Sequence, residues 1–229
     1  MVSAEYYAVA SSLVLLSILL LVLSARALFR YWAAPTRSQL MWGGGLVFAT
    51  GAMIVEAAVY LGSVSSLLLQ TYVFFSAAIV GVLSLGATKI LRSPRVERGY
   101  TVYIAATVGL VGVFSYLTPL PPASMVTGGI ITGNPPLLLL ILSSVVTGPA
   151  TIVLLTASYL ALRRAWRWQT LLMIGGALIL GAGGTLYIAS FPVALYYAEF
   201  VGIILLFLGL VSLPQSSSTV TPVSAGQAS

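Results

Sequence analysis

Four glutamates, Glu5, Glu56, Glu97 and Glu199, supply every side-chain carboxylate of this chain, which contains no Cys, His or Asp. The chemistry open to it is therefore narrow. Disulfides, thiolate reactions and the common His/Cys/Asp metal sites are excluded. So are axial His ligation of haem and His-based proton shuttling. Catalysis by paired carboxylates would have to use Glu56 and Glu199, the two that fall within long apolar stretches. With no nucleophile, base or metal set in view, the expectation is a protein that is not an enzyme and carries no cofactor and no metal. What remains is uptake of a cation, a proton or a small polar solute.

Glu56 is the most informative of these groups. It lies about six residues from the end of its stretch, which is ~9 Å deep at the helical rise. Gln70 and Thr71 fall at a similar depth in the next stretch, beside Tyr72. Glu199 lies at a comparable depth in the last stretch, and Tyr187 is nearer the end of the one before it. Together these six residues form a polar layer in one half of the apolar span, a candidate ion or solute path. A charge within a membrane span costs on the order of 2.5–3.5 kcal/mol, so such a residue faces the protein interior and finds a partner. No Lys or Arg is at that depth. Glu56 is thus expected to be protonated and hydrogen-bonded to Gln70 or a Tyr hydroxyl, or to face water or a cation. Two roles fit it: a cation- or proton-linked site, and a neutral carboxyl holding helices together. A second candidate is the Gly148–Pro149 pair, preceded by Ser143, Ser144 and Thr147. Proline removes one helix hydrogen bond and frees carbonyls near residue 145, which suits a gating kink, a carbonyl site or a plain structural kink.

The elements that position these groups are drawn by the basic residues. All ten fall in three clusters: Arg26, Arg30 and Arg37; Lys89, Arg92, Arg95 and Arg98; Arg163, Arg164 and Arg167. Each cluster ends one apolar stretch and begins the next, and Lys and Arg collect on the cytoplasmic side of membrane proteins. The fold class expected is all-α: a polytopic transmembrane bundle of seven helices, N-terminus outside and C-terminus inside, over residues 1–213. Stretches long enough to span a bilayer lie at about 5–29, 39–62, 65–91, 99–118, 136–162, 167–190 and 194–213. With 59% hydrophobic and 6% charged residues, far below the ~25% of a soluble domain, the chain belongs in lipid. The net charge of +6 is a topology signal at helix ends; no nucleic-acid partner is expected, while anionic lipid at the basic loops is. Trp32, Trp42, Trp166 and Trp168 beside the clusters, and Tyr6, Tyr7, Tyr196 and Tyr197 at the other ends, fit interfacial belts. The first apolar run follows Glu5 and precedes Arg26, the charge order of an anchor kept in the mature protein rather than a signal peptide.

The outer connections are short except for 118–136, TPLPPASMVTGGIITGNPP. Its prolines forbid a continuous helix; its apolar middle is expected on the outer surface, with a lid dipping into the bundle as the alternative. The tail 214–229 is uncharged and Ser/Thr-rich, and is expected to be a disordered cytoplasmic segment. A shift of 130 residues aligns Arg37 with Arg167, Gln39 with Gln169, Gly45 with Gly175 and Gly51 with Gly181, and a shift of 128 aligns Gly81 with Gly209. The spacing admits a 3+1+3 internal repeat, a design that places substrates near the repeat interface. The small-xxx-small pairs Gly45/Ala49, Ala77/Gly81 and Ala177/Gly181 permit close helix approach; they suit packing within the bundle, a homo-oligomer or the subunits of a larger membrane complex.

Two layouts invite comparison. Seven spans with the N-terminus outside resemble retinal proteins, but the seventh span, ALYYAEFVGIILLFLGLVSL, has no Lys for a Schiff base. The arrangement also resembles the SWEET sugar transporters and their PQ-loop relatives in layout alone; the sole Pro-Gln pair, Pro214-Gln215, lies in the tail. Architecture of this kind hosts many functions. The leading expectation is a multi-pass protein of the cell membrane that passes a small solute or cation. The alternatives are a non-catalytic accessory subunit of a translocation or respiratory assembly, and a seven-helix sensor without retinal.

Overall fold

The computed structural model describes residues 4–33, 35–91, 93–127, 129–131, 133–164, 168–188 and 192–211. The tail 214–229 lies outside the described residues. The chain is almost entirely helical: α1 (Ala4–Ala33), α2 (Arg37–Tyr60), α3 (Ser66–Ala87), α4 (Pro94–Leu117), a single turn α5 (Pro122–Met125), α6 (Leu137–Arg164), α7 (Trp168–Ile188) and α8 (Pro192–Val211). A 3-10 turn, Thr88–Leu91, extends α3. Local chemistry sets the starts. The Thr36 hydroxyl accepts the Gln39 N–H at 3.3 Å and caps α2. Ser65 accepts the Leu68 N–H at 3.2 Å and caps α3. Pro94 opens α4, where its missing N–H costs nothing.

Among the described residues, five helices are long and apolar enough to cross a membrane, in α1, α2, α3, α4 and α6. Their outer faces are apolar as well. On α1, Leu13, Leu16, Leu20, Leu23 and Ala27 are buried at spacings of three and four, while Val14, Leu15, Ile18, Leu21 and Val22 are exposed between them. Helices apolar on every side need lipid rather than water around them. The bundle is thus an apolar assembly compatible with a multi-pass integral membrane protein.

Helix α3 sits at the centre, packed against α2, α4, α6 and α7. Glycine notches set the approach. A Cβ on Gly45 would stand 2.5 Å from Leu83 Cδ2 of α3, and one on Gly43 3.0 Å from Leu28 Cδ2 of α1. In α7 and α8 the contact is backbone on backbone: a Cβ on Gly176 would stand 2.5 Å from the Gly202 carbonyl oxygen. Positions aligned by the 130- and 128-residue shifts have different surroundings. Gly45 faces Leu83, whereas a Cβ on Gly175 would meet nothing within 4 Å. Gly81 faces Val146 of α6, whereas Gly209 faces Gln169 and Met173 of α7.

The loops between apolar stretches meet at one end. Arg37 reaches Glu97 at 3.3 Å and the Thr101 hydroxyl at 2.9 Å, so the start of α2 and the first turns of α4 lie side by side. The pair is partly exposed and contributes little to stability; its value here is positional.

One sequence expectation needs correction. The apolar middle of segment 118–136 does not lie wholly on the surface, although Pro119, Pro121, Ser124 and Thr127 are exposed. It folds as α5 and a two-stranded antiparallel hairpin, β1 (Val126–Thr127) with β2 (Ile130–Ile131). Leu120, Met125 and Ile131 are 0–2% exposed, in one cluster with Val55 and Val59 of α2 and Leu69 and Tyr72 of α3. Apolar side chains on a charge-free loop find the open end of the bundle more favourable than water. Helix α6 stays helical through Gly148 and Pro149. Pro149 has no N–H for the Val145 carbonyl, and the Tyr103 hydroxyl of α4 donates to that oxygen instead, at 2.5 Å. Removing this donor by Tyr103→Phe is expected to cost about 1 kcal/mol. In a Pro149→Ala background, where residue 149 again offers its own N–H, the cost falls to a few tenths. Unfolding of the four proteins in detergent micelles closes the cycle; an equal loss in both backgrounds would show that Pro149 does not create the need.

Candidate functional site

Helix α2 carries the site. Glu56 is 3% exposed. Met53 and Tyr60, one turn to either side on the same face, belong to the core cluster shared with Leu13, Leu16 and Leu20 of α1. That face continues down α2 through Thr50, Leu46 and Trp42 to Gln39, at steps of three and four residues. About 9 Å along the helix from Glu56, the buried Thr50 hydroxyl meets the Ser24 hydroxyl of α1 at 3.2 Å. Each is also within reach of the carbonyl one turn back in its own helix, Ser24 with Leu20 at 2.7 Å and Thr50 with Leu46 at 2.8 Å. Two hydroxyl hydrogens therefore serve more acceptors than they can fill at once, which leaves the pair free to exchange donors. At the other side of Glu56, Gly129 of the hairpin stands over the Tyr60 backbone, and Ile130 packs against the cluster that holds Tyr60. The hairpin thus covers this face one turn beyond the carboxyl.

Gln70 directs its amide nitrogen to the carbonyls of Thr118 at 2.8 Å and Tyr116 at 3.3 Å. It closes the C-terminus of α4, whose last carbonyls have no helical partner. The Leu120 N–H donates to the Ser66 hydroxyl at 3.0 Å and fastens the same junction. Thr71 donates to the Leu67 carbonyl and meets the Tyr116 hydroxyl at 3.2 Å. Tyr72 is buried in the cluster under the hairpin. Gln70, Thr71 and Tyr72 are thus brought together at the junction with α4 and the hairpin, and Glu56 is buried on α2 between Met53 and Tyr60 on one side and Ala52 and Val59, which share a cluster with Tyr72, on the other. Tyr187 and Glu199 lie on α7 and α8, but their side chains are outside the described residues.

A cavity of about 230 Å³ opens where α1, α2, α3 and α7 meet, some 25 Å along α2 from Glu56 by helical rise. Arg30, Ser38, Gln39, Trp42 and Thr170 are among the residues that line it. Trp42 packs against Gly86, where a Cβ would strike its indole nitrogen. The Ser38 hydroxyl donates to the Gly86 carbonyl at 3.0 Å. Among the described residues Gln39 Oε1 is buried with no hydrogen-bond partner.

No family model matches this chain, and no curated protein or solved structure does either. Its chemistry has to be argued from the bundle itself.

Sequence reasoning did not select Ser24, Thr50, Gln39, Arg30 or Trp42 as site residues. Arg30 and Trp42 read as orientation and belt signals, and they hold those positions at the bundle end while also lining a cavity. The missed signal is the spacing Gln39, Trp42, Leu46, Thr50, Met53, Glu56, a single helical face bearing three polar groups in an otherwise apolar span. Such a face can hold a proton or small cation at its carboxyl and pass it to hydroxyls, or can knit α1 to α2.

Proposed function

We propose that this protein is a transporter of the cell membrane with seven spans, its N-terminus outside and its C-terminus inside, that moves protons or a small cation along the α1–α2 face. It makes and breaks no covalent bond. Glu56 takes up the positive charge near the outer end, the Ser24–Thr50 hydroxyls form the next step inward, and Tyr187 and Glu199 complete the outer group. The observation that carries this reading is the burial of Glu56, at 3% exposure, on the face that also bears Thr50. A buried carboxyl is expensive to keep for packing alone, since Met or Leu fills the same space without desolvation. The orientation rests on the basic clusters: Arg37 shares one end with Glu97, and Arg30 lines one cavity with Thr170, three residues after Arg167.

The test is flux in liposomes. Proton and monovalent-cation uptake by the wild-type protein is expected to fall at least tenfold in Glu56→Gln and to change less than twofold in Arg98→Gln, an exposed substitution on α4. Equal flux in the two variants would remove Glu56 from the path.

A second reading, an accessory subunit of a larger membrane complex, draws on a different observation. Leu46 of α2 and Leu83 of α3, each fully buried, fill the layer between the cavity and the hydroxyl pair. Retention of partner subunits through purification from native membranes, together with absent flux, would favour it.

A further inference from the structure

We infer that the cavity between α1, α2, α3 and α7 is the docking site of this chain's own segment 214–229, seated through Val220, Pro222 and Val223. This goes beyond the transport reading and holds whether or not a charge passes Glu56.

The packing around the cavity sets the side from which an occupant can come. Helix α1 packs against α2, α2 against α3, α3 against α7, α7 against α8 and α8 against α1. The ring is closed, so an acyl chain in the bilayer meets a helix on every side. The open approach is from the end, where the last turns of α1 and the first turns of α2 and α7 give way to loops.

The walls set what is recognised. Ala27, Trp42, Ala87, Ile90, Met173 and Ile174 make up most of the lining. Ser38 has already given its hydrogen to the Gly86 carbonyl at 3.0 Å. Apolar walls are unfavourable to leave in contact with water, so the occupant that gains most is apolar itself. At the ~30 Å³ that liquid water gives each molecule, the cavity holds about eight non-hydrogen atoms. That suits two valine side chains and part of a proline ring. Trp42 adds an aromatic wall, the kind of surface on which proline-bearing segments pack.

The segment beyond α8 meets both conditions. Helix α8 runs to Val211 beside the cavity: a Cβ on Gly209 would stand 2.5 Å from Cγ of Met173, a lining residue. About nine residues separate Val211 from Val220, enough to reach ~30 Å when extended. A flexible tether of that length holds its end at a local concentration on the order of millimolar. Segment 214–229 has no charge to desolvate, and its two valines stand together in Thr219-Val220-Thr221-Pro222-Val223. Seated there, it caps the Trp42 end of the α2 face that bears Thr50 and Glu56.

The chain has no Cys, so Thr170→Cys places a single reporter in the cavity wall. Its rate of reaction with a small, permanently charged methanethiosulfonate is measured in detergent on the full chain and on a chain ending at Leu213. Shortening is expected to raise the rate at least fivefold. Val220→Asp combined with Val223→Asp in the full chain should do the same. Synthetic peptide 214–229 added to the shortened protein should restore protection, and the peptide with both substitutions should not. Ser63→Cys, exposed at the opposite end of α2, should change less than twofold. Equal Thr170→Cys rates in the full and shortened chains overturn the proposal. Protection that survives shortening but is lost when lipid is stripped assigns the cavity to a lipid, and protection lost on dilution assigns it to a second copy; either result overturns the proposal. If the shortened protein fails to fold, the doubly substituted full chain decides alone.

Discussion

Gly176→Leu is expected to abolish the folded bundle, and Gly175→Ala, one residue away, to leave it intact or slightly more stable. The difference follows from what a side chain would meet. At 176 the first carbon would stand 2.5 Å from the Gly202 carbonyl oxygen and 2.8 Å from the Leu206 nitrogen. Both are backbone atoms of α8, so no rotamer change relieves the contact and the two helices must move apart. The contact is reciprocal, since a Cβ on Gly202 would stand 3.0 Å from the Gly176 carbonyl oxygen. Overpacking of this kind costs about 1–3 kcal/mol for a single methyl, which is the expectation for Gly176→Ala; leucine exceeds ~4 kcal/mol, the range reserved for gross disruption. At 175 the new carbon meets nothing within 4 Å, and alanine is the better helix former by up to ~1 kcal/mol. Unfolding in mixed micelles with rising denaturing detergent ranks the variants. A Gly176→Leu protein as stable as the wild type would mean that α7 and α8 do not pack in this register.

The second large effect is expected at Gln70. Gln70→Met keeps the volume of the side chain and deletes its amide, so the Thr118 and Tyr116 carbonyls lose their donor. Two net hydrogen bonds at about 1 kcal/mol each, with the added penalty for an acceptor left dry, give a loss of about 2–3 kcal/mol. The damage should be local as well as global. The junction of α4 with the 118–136 segment is held by Gln70 and Ser66, so hydrogen exchange across residues 120–131 is expected to accelerate more than tenfold while exchange in the middle of α2 is unchanged. Flux through Gln70→Met that falls with no change in exchange would instead return Gln70 to the conducting layer.

The sequence revealed the helices well because two independent signals coincide at their ends. Apolar runs stop where Arg and Lys begin, and Thr36, Ser65 and Pro94 mark starts with local chemistry that needs no tertiary context. Glu56 was legible for the same reason: a carboxyl in such a run has few places to go. Partner identity was not legible. Gln70 bonds carbonyls 46 and 48 residues away, and nothing in a depth count tells which side of α3 it occupies. The depth argument grouped Gln70 with Glu56 and could not foresee that its amide nitrogen closes the end of α4. The cavity was hidden because four helices contribute to it and each supplies residues with an ordinary reason to be there. Segment 118–136 was misjudged through its prolines and glycines, which report backbone shape, when its Leu120, Met125 and Ile131 decided its location. Pro149 announced a broken hydrogen bond, but only the packing of α4 supplied Tyr103 to mend it.

The central place of α3 bears on how the chain is made. Its contacts with α2, and those of α2 with α1, join neighbours in the chain. They can form as soon as the third helix leaves the ribosome and the insertion machinery. Contacts of α3 with α6 and α7 join segments far apart in the chain, so one flank of α3 must wait in lipid until synthesis is nearly finished. That flank bears Ala77 and Gly81, where Ile104 and Val108 of α4 cover one side and Val146 of α6 closes the other in the finished bundle. A nascent four-helix intermediate with a temporarily vacant groove is therefore built into the order of translation.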